Sequence, residues 1–192
     1  MGSNTYLTAV TNLGYSTESA ATAITAGIDP RAGARIAIRA FGFNCGATAT
    51  SVYFMQSLGS STISTAVVSG ATTAFVVAAD MNTLASNDYI GIELDNGDYQ
   101  YTTVASGTYS DFSIADALTD MVAAGNTVHS FGIYSDTGHT RFVLTVSVQT
   151  SKELDGGVIF ASGKNKPMLI YHANDAAAAG SINYVTVDYI NI

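Results

Sequence analysis

An all-β fold is predicted, an antiparallel β-sandwich or jelly roll with one short helix. Three observations carry it. Roughly ten to twelve short apolar runs alternate with polar residues, the mark of strands with one buried face. Turn signals separate them at roughly 8–12-residue intervals, the spacing of a sandwich or barrel. Helix-length segments do not intervene between the runs, which disfavours a parallel α/β sheet.

Residues 1–30 are rich in Thr, Ala and Ser and carry little bulk to bury. They read either as an extended arm docking on a neighbouring subunit or as an edge strand of the same domain. Residues 31–192 form a single β domain. Asp29-Pro30 marks a turn. Over Ala34 to Phe43, Ile36, Ile38 and Ala40 face one way, and Arg35, Ala37, Arg39 and Phe41 the other. As a helix, Arg31, Arg35 and Arg39 would share a face; Gly33, Gly42 and the β-branched residues favour a strand.

Thr48 to Leu58 centres on Val52-Tyr53-Phe54-Met55, a buried strand. Leu58 to Ser61 reads as a turn, Thr62 to Val68 and Thr72 to Ala78 as strands around Ser69-Gly70, and Asp80 to Asn87 as a loop or single helical turn. The sharpest local signal is Asp88 to Val104. Ile90, Ile92 and Leu94 alternate with Gly91, Glu93 and Asp95, and Tyr99, Tyr101 and Thr103 alternate with Gln100, Thr102 and Val104. Asn96-Gly97 between them predicts a hairpin with a type I′ turn.

The short helix is placed at Ile114 to Leu118 and Met121 to Ala124, closed by Gly125-Asn126. A turn of helix at Asn174 to Ala179 is a weaker candidate. Strands follow at Thr127 to Tyr134, Arg141 to Thr150, Val158 to Phe160, Met168 to Tyr171 and Ile182 to Ile192. Turns at Asp136 to Gly138, Asp155 to Gly157 and Gly163 to Pro167 divide them. The sequence leaves open whether 80–131 is a small β-barrel module or part of the main sandwich.

Of the 192 residues, 47% are apolar and only 11% charged, less than half the usual charged share. Ordinary monomers keep their surface soluble with charge. Either small polar residues do that work here or neighbouring subunits cover much of the surface, which points to an assembly, a trimer or a dimer. The formal net charge of −8 argues against a nucleic-acid-binding face, which needs Lys and Arg to displace counterions, and against anionic membranes. No secretory signal and no apolar run long enough to span a membrane is apparent. Cys45 is the only cysteine, so an intrachain disulfide is impossible; it reads as a small buried hydrophobe.

No catalytic set emerges. His129, His139 and His172 lie outside any metal-ligand spacing; His139 is expected in an exposed turn and His172 at a strand end. No nucleophile elbow and no phosphate-cradling glycine loop is present. Seven of the fifteen acids, Asp88, Glu93, Asp95, Asp98, Asp111, Asp116 and Asp120, fall in a stretch without Lys or Arg. As a glycosidase pair they lack a sugar platform, and as a calcium loop they lack the D-x-D-x-D-G spacing. Acids on an edge hairpin discourage wrong strand pairing, or they meet a basic partner. Glu93, Asp95 and Asp98, with Arg31, Arg35 and Arg39, are therefore the candidate partner contacts. No cofactor and no metal is expected.

The segment Asn87-Asp88-Tyr89-Ile90-Gly91-Ile92-Glu93-Leu94-Asp95-Asn96-Gly97, then Thr102-Thr103-Val104 and Ala123-Ala124-Gly125-Asn126-Thr127-Val128, is similar to a module in structural proteins of tailed bacteriophages. With the low charge and the Thr/Ala/Ser/Gly texture, the chain resembles virion proteins of the capsid-decoration (cement) type. The resemblance implies a non-enzymatic role in the virion, with assembly in the host cytoplasm and the major capsid protein or another virion protein as partner. A tail tube, adaptor or fibre base, or a glycan-binding sandwich, is the alternative. It carries over no catalytic residue.

Overall fold

The structure is a computed structural model. It describes residues 7–11, 24–45, 50–78, 81, 84–108, 110–132, 140–146, 151–154, 158, 160–172 and 180–191. The expected turns at 136–138 and 155–157, the helical turn at 174–179, most of the 1–30 arm, and the environments of His139 and the Cys45 side chain lie outside the described residues. Among the described residues there are fifteen strands and no helix, and every strand pairing is antiparallel. The chain divides into two compact units, residues 1–56 with 140–192, and Ser57–His139.

The first unit is a sandwich. One sheet runs β1 (Leu7–Thr11), β15 (Gly180–Asn191), β3 (Ala34–Cys45), β12 (Ser151–Leu154), with β13 (Phe160–Ala161) also on the free side of β3. The other runs β11 (Thr140–Val146), β4 (Thr50–Gln56), β14 (Met168–His172), β2 (Ile24–Ile28). If the eight principal strands are numbered along the chain, the sheets read 1-8-3-6 and 5-4-7-2. That is the strand order of a jelly roll, two Greek keys wrapped face to face. Its interior is apolar: Ile36, Ile38, Phe41, Phe43, Val185 and Val187 from one sheet pack with Ile28, Val52, Phe54, Met168 and Ile170 from the other. Phe41 meets Phe54 edge to face at 5.0 Å, a favoured aromatic geometry.

Simple alternation along β3 does not hold. Ile36 and Ile38 share the core with Phe41 and Phe43, so the inward face changes from even to odd positions. The register explains it: Val187 pairs Ile38 and Thr186 pairs Ala40, leaving Arg39 unmatched. One extra residue in a strand is a β-bulge, and it moves every later side chain to the other face.

The second unit is a small barrel. Its sheet runs β5 (Gly59–Thr62), β10 (Thr127–Gly132), β7 (Tyr89–Glu93), β8 (Tyr99–Thr108), β9 (Asp111–Ile114), β6 (Phe75–Val76). The two outer strands then meet. Ile63 and Val77 form an antiparallel bridge. Ser64 N–H donates to the Val76 carbonyl at 2.7 Å and Ala78 N–H to that of Thr62 at 2.7 Å. Closure removes the unpaired edges that an open sheet presents. Ile63, Phe75, Ile90, Ile92, Val104, Phe112, Ile114 and Val128 fill the interior. The unit takes in β5 and β6 ahead of the 80–131 stretch.

Three local expectations are corrected here. Leu58 to Ser61 is not a turn: Gly59 to Thr62 is a strand, recruited by the edge of β10 rather than by its own side chains. The strands expected at 62–68 and 72–78 shrink to single bridges at Ile63 and Val67 and the two residues of β6. The helix expected at Ile114 to Ala124 does not form. Ile114 ends β9, and the backbone of Leu118 and Val122 is bonded across the chain to Ala71, Gly70 and Val67. Ile114, Leu118 and Val122 are all buried; a spacing of four that suits a helix face is here met by an irregular segment laid across the barrel core.

Candidate functional site

The β7–β8 hairpin forms over Asn96-Gly97 as expected, but its register, Ile90 opposite Thr102 and Ile92 opposite Gln100, is shifted by one residue from the one a two-residue type I′ turn would set. Ile90, Ile92, Leu94, Thr102 and Val104 are buried. The turn differs from the type I′ expectation. Gly97 alone has a positive φ, +88°, and Asn96 does not. Gly97 N–H donates to the Leu94 carbonyl at 3.0 Å, and Leu94 N–H to that of Asp98 at 2.9 Å. This is a three-residue loop, a type I turn followed by a left-handed glycine. Asp98 N–H donates to the Asn96 side-chain carbonyl at 2.9 Å, which keeps Asn96 out of the left-handed region. On the other face of the hairpin Tyr101 lies across Gly91; a Cβ at Gly91 would stand 3.0 Å from the Tyr101 ring.

The three candidate acids are used differently. Glu93 Oε2 accepts from Thr127 N–H at 2.9 Å. Asp95 Oδ1 accepts from Ala123 N–H at 2.7 Å and from the Asn126 amide at 3.0 Å, while Asp95 N–H donates to the Met121 carbonyl at 3.0 Å. Both side chains thus hold the hairpin to segment 121–127. Asp98 is exposed, and its carboxylate accepts from the Asn96 amide at 3.2 Å.

The three candidate arginines lie at and before β3. Arg31 is exposed, its guanidinium 5.6 Å from the centre of the Tyr189 ring, within cation–π range. Arg35 is exposed. Arg39, at the bulge, meets Asp188 with Nε to Oδ2 at 2.7 Å. Its charge is already matched, which leaves Arg31 and Arg35 as the more open pair.

His129 is buried, its Nδ1 2.9 Å from Ser57 Oγ. His172 closes β14, as expected of a strand-end residue, with its ring 4.8 Å from Phe43. Among the described residues no group of three His, Cys, Asp or Glu side chains converges as a metal site. An open hollow of about 320 Å³ lies over Thr73, Ala74, Ser106, Asp111 and Ser113. Ser106 and Ser113 hydroxyls bond each other at 2.7 Å there, and Asp111 is the one titratable side chain in its lining.

One property was present in the sequence but becomes visible only with the unit boundaries. Nine of the fifteen acids and none of the seven basic residues fall within Ser57–His139. The barrel therefore carries a formal −9 and the sandwich +1. The charge of the chain is thus concentrated in the barrel unit.

No protein-family model and no curated protein matches the chain. Among solved structures, VP17, a capsid protein of bacteriophage P23-77, is 8% identical over 98% of this chain and 97% of that one, with a TM-score of 0.22. A score at that level is no evidence of a shared fold.

Proposed function

We propose that the chain is a non-enzymatic structural subunit of a bacteriophage virion, and within the virion a capsid decoration (cement) protein. It binds the assembled shell of the major capsid protein as a trimer or dimer and stabilises it. The supporting observation is the jelly-roll strand order of the sandwich. Jelly rolls serve viral capsid proteins, lectins and cupins alike, so the architecture alone is an analogy. The interior favours the structural use. Phe41, Phe43, Phe54, Ile36, Ile38 and Met168 are fully buried in it, where a cupin-type site needs an open, polar hollow. The sparse charge agrees with a surface partly covered by neighbours. The resemblance of 87–128 to a phage structural module points the same way.

The test is co-sedimentation of the purified protein with empty shells assembled from the major capsid protein of the same genome. Saturable binding and a higher shell melting temperature are expected. Protein that stays in the supernatant overturns the decoration reading, and immunogold labelling of the tail on whole particles moves the protein there.

A further inference from the structure

Val67 and Val122 exchange two hydrogen bonds, each 2.9 Å, as an antiparallel bridge, and both side chains are buried. Residues paired across such a bridge point to one side, and their neighbours to the other. Val68 therefore stands opposite Met121 on the outer side. The two are 69% and 46% exposed, and with Val158 they make up the large hydrophobic residues exposed among those described.

Two acids are bonded at the Met121 end of this pair. Asp120 Oδ1 accepts from Met121 N–H at 2.8 Å. Asp95 bonds the Met121 carbonyl through its N–H and Ala123 N–H through its carboxylate. Asp98 follows on the same hairpin tip. No Lys or Arg is present anywhere in the unit. An apolar centre with a charged rim is the anatomy of a protein-binding patch.

We propose that Val68 and Met121, with Asp95 and Asp120 beside Met121 and Asp98 further along the hairpin tip, form a docking face for a protein segment that presents an apolar residue flanked by Lys or Arg. Charge decides the occupant. A second copy meeting this face with its own would set acid against acid in a two-fold contact. A basic partner gains from both components, the apolar pair giving affinity and the acids steering encounter. The inference does not depend on the virion reading, because it concerns the chemistry of the face and not the identity of the partner.

The whole protein is screened against a yeast-displayed library of random 12-residue peptides, beside the double variant V68D/M121D and the charge variant D98K/D120K. Val68, Met121 and Asp98 are exposed and Asp120 half-buried, so a thermal melt matching wild type checks the fold of both variants. Enriched peptides are expected to carry Lys or Arg flanking an apolar residue. Their binding is expected to fall at least tenfold in either variant, and about tenfold between 50 and 300 mM salt. The proposal is overturned if no peptide enriches, if enriched peptides lack basic residues, or if they bind both variants as well as wild type. It is also overturned if wild type self-associates and V68D/M121D does not, since a second copy then covers the face.

Discussion

Arg39 is the unmatched residue of the β3 bulge, and Asp188 on the neighbouring strand β15 takes its guanidinium at 2.7 Å. The bulge leaves Arg39 without a cross-strand partner, and the part-buried Asp188 carboxylate compensates its charge. Arg39→Ala leaves Asp188 without its cation and is expected to cost about 1–2 kcal/mol. Urea denaturation checks this, and a midpoint equal to wild type removes the pair from the account.

Two glycines with positive φ separate crowding from backbone strain. At Gly107, φ +134°, a Cβ would lie 2.4 Å from the Asp111 carbonyl oxygen and 2.5 Å from Phe112 Cα. Gly107→Ala must displace backbone and is expected to cost about 3 kcal/mol. At Gly97, φ +88°, the same Cβ meets nothing within 4 Å, so Gly97→Ala carries only the left-handed penalty, about 1 kcal/mol. Thermal melts of the two variants are expected to differ by several degrees, and the reverse order contradicts this description of the β8–β9 hairpin.

Asp95 and Asp98 stand on one hairpin tip but do different work. Asp95→Ala strips the acceptor from Ala123 N–H and the Asn126 amide and is expected to cost about 1 kcal/mol. Faster amide exchange at Ala123 is expected with it. Asp98→Ala is expected to stay within about 0.5 kcal/mol of wild type. Equal losses in the two would mean that Asp95 does not hold segment 121–127.

The Tyr189 hydroxyl donates to the Asp29 carbonyl at 3.1 Å. Burial first, and the Asp29 charge second, raise its phenol above the ordinary value near 10, against the opposing pull of Arg31. The unfolded chain gives up this proton at a lower pH than the folded one. The stability from the neutral phenol is thus full below pH 10 and lost as pH rises through the folded value. Tyr189→Phe is expected to make the decline above pH 10 shallower. Absorbance at 295 nm is expected to show one late-ionising tyrosine that the variant lacks.

The sandwich and the hairpin were legible in the residues because period-two alternation is a local property. Tyr189, Val187 and Val185 face the core as their alternation implies. What was not legible depends on partners distant in sequence. Nothing in the residues around Arg39 announces a bulge, since the bulge is defined by the register of β15. Gly59 to Thr62 has no strand signal of its own and is ordered by β10. Ile114, Leu118 and Val122 satisfy a helical spacing, yet their backbone groups find cross-chain partners that a sequence window does not contain. The acids were visible as a cluster; their confinement to one unit required the unit's boundaries.

The barrel enters the chain between β4 and β11, and those two strands are neighbours, with Met55 paired to Thr140. At the barrel's own start, Leu58 N–H bonds the Ser130 carbonyl at 2.8 Å. A chain that had to join β4 to β11 through an unfolded segment of that length would lose considerable loop entropy. Once the barrel has closed on its own contacts, only two short connectors separate the strands. The inserted unit is therefore expected to close first, as a clasp that brings the two flanking halves of the sandwich chain together before the Greek keys wrap.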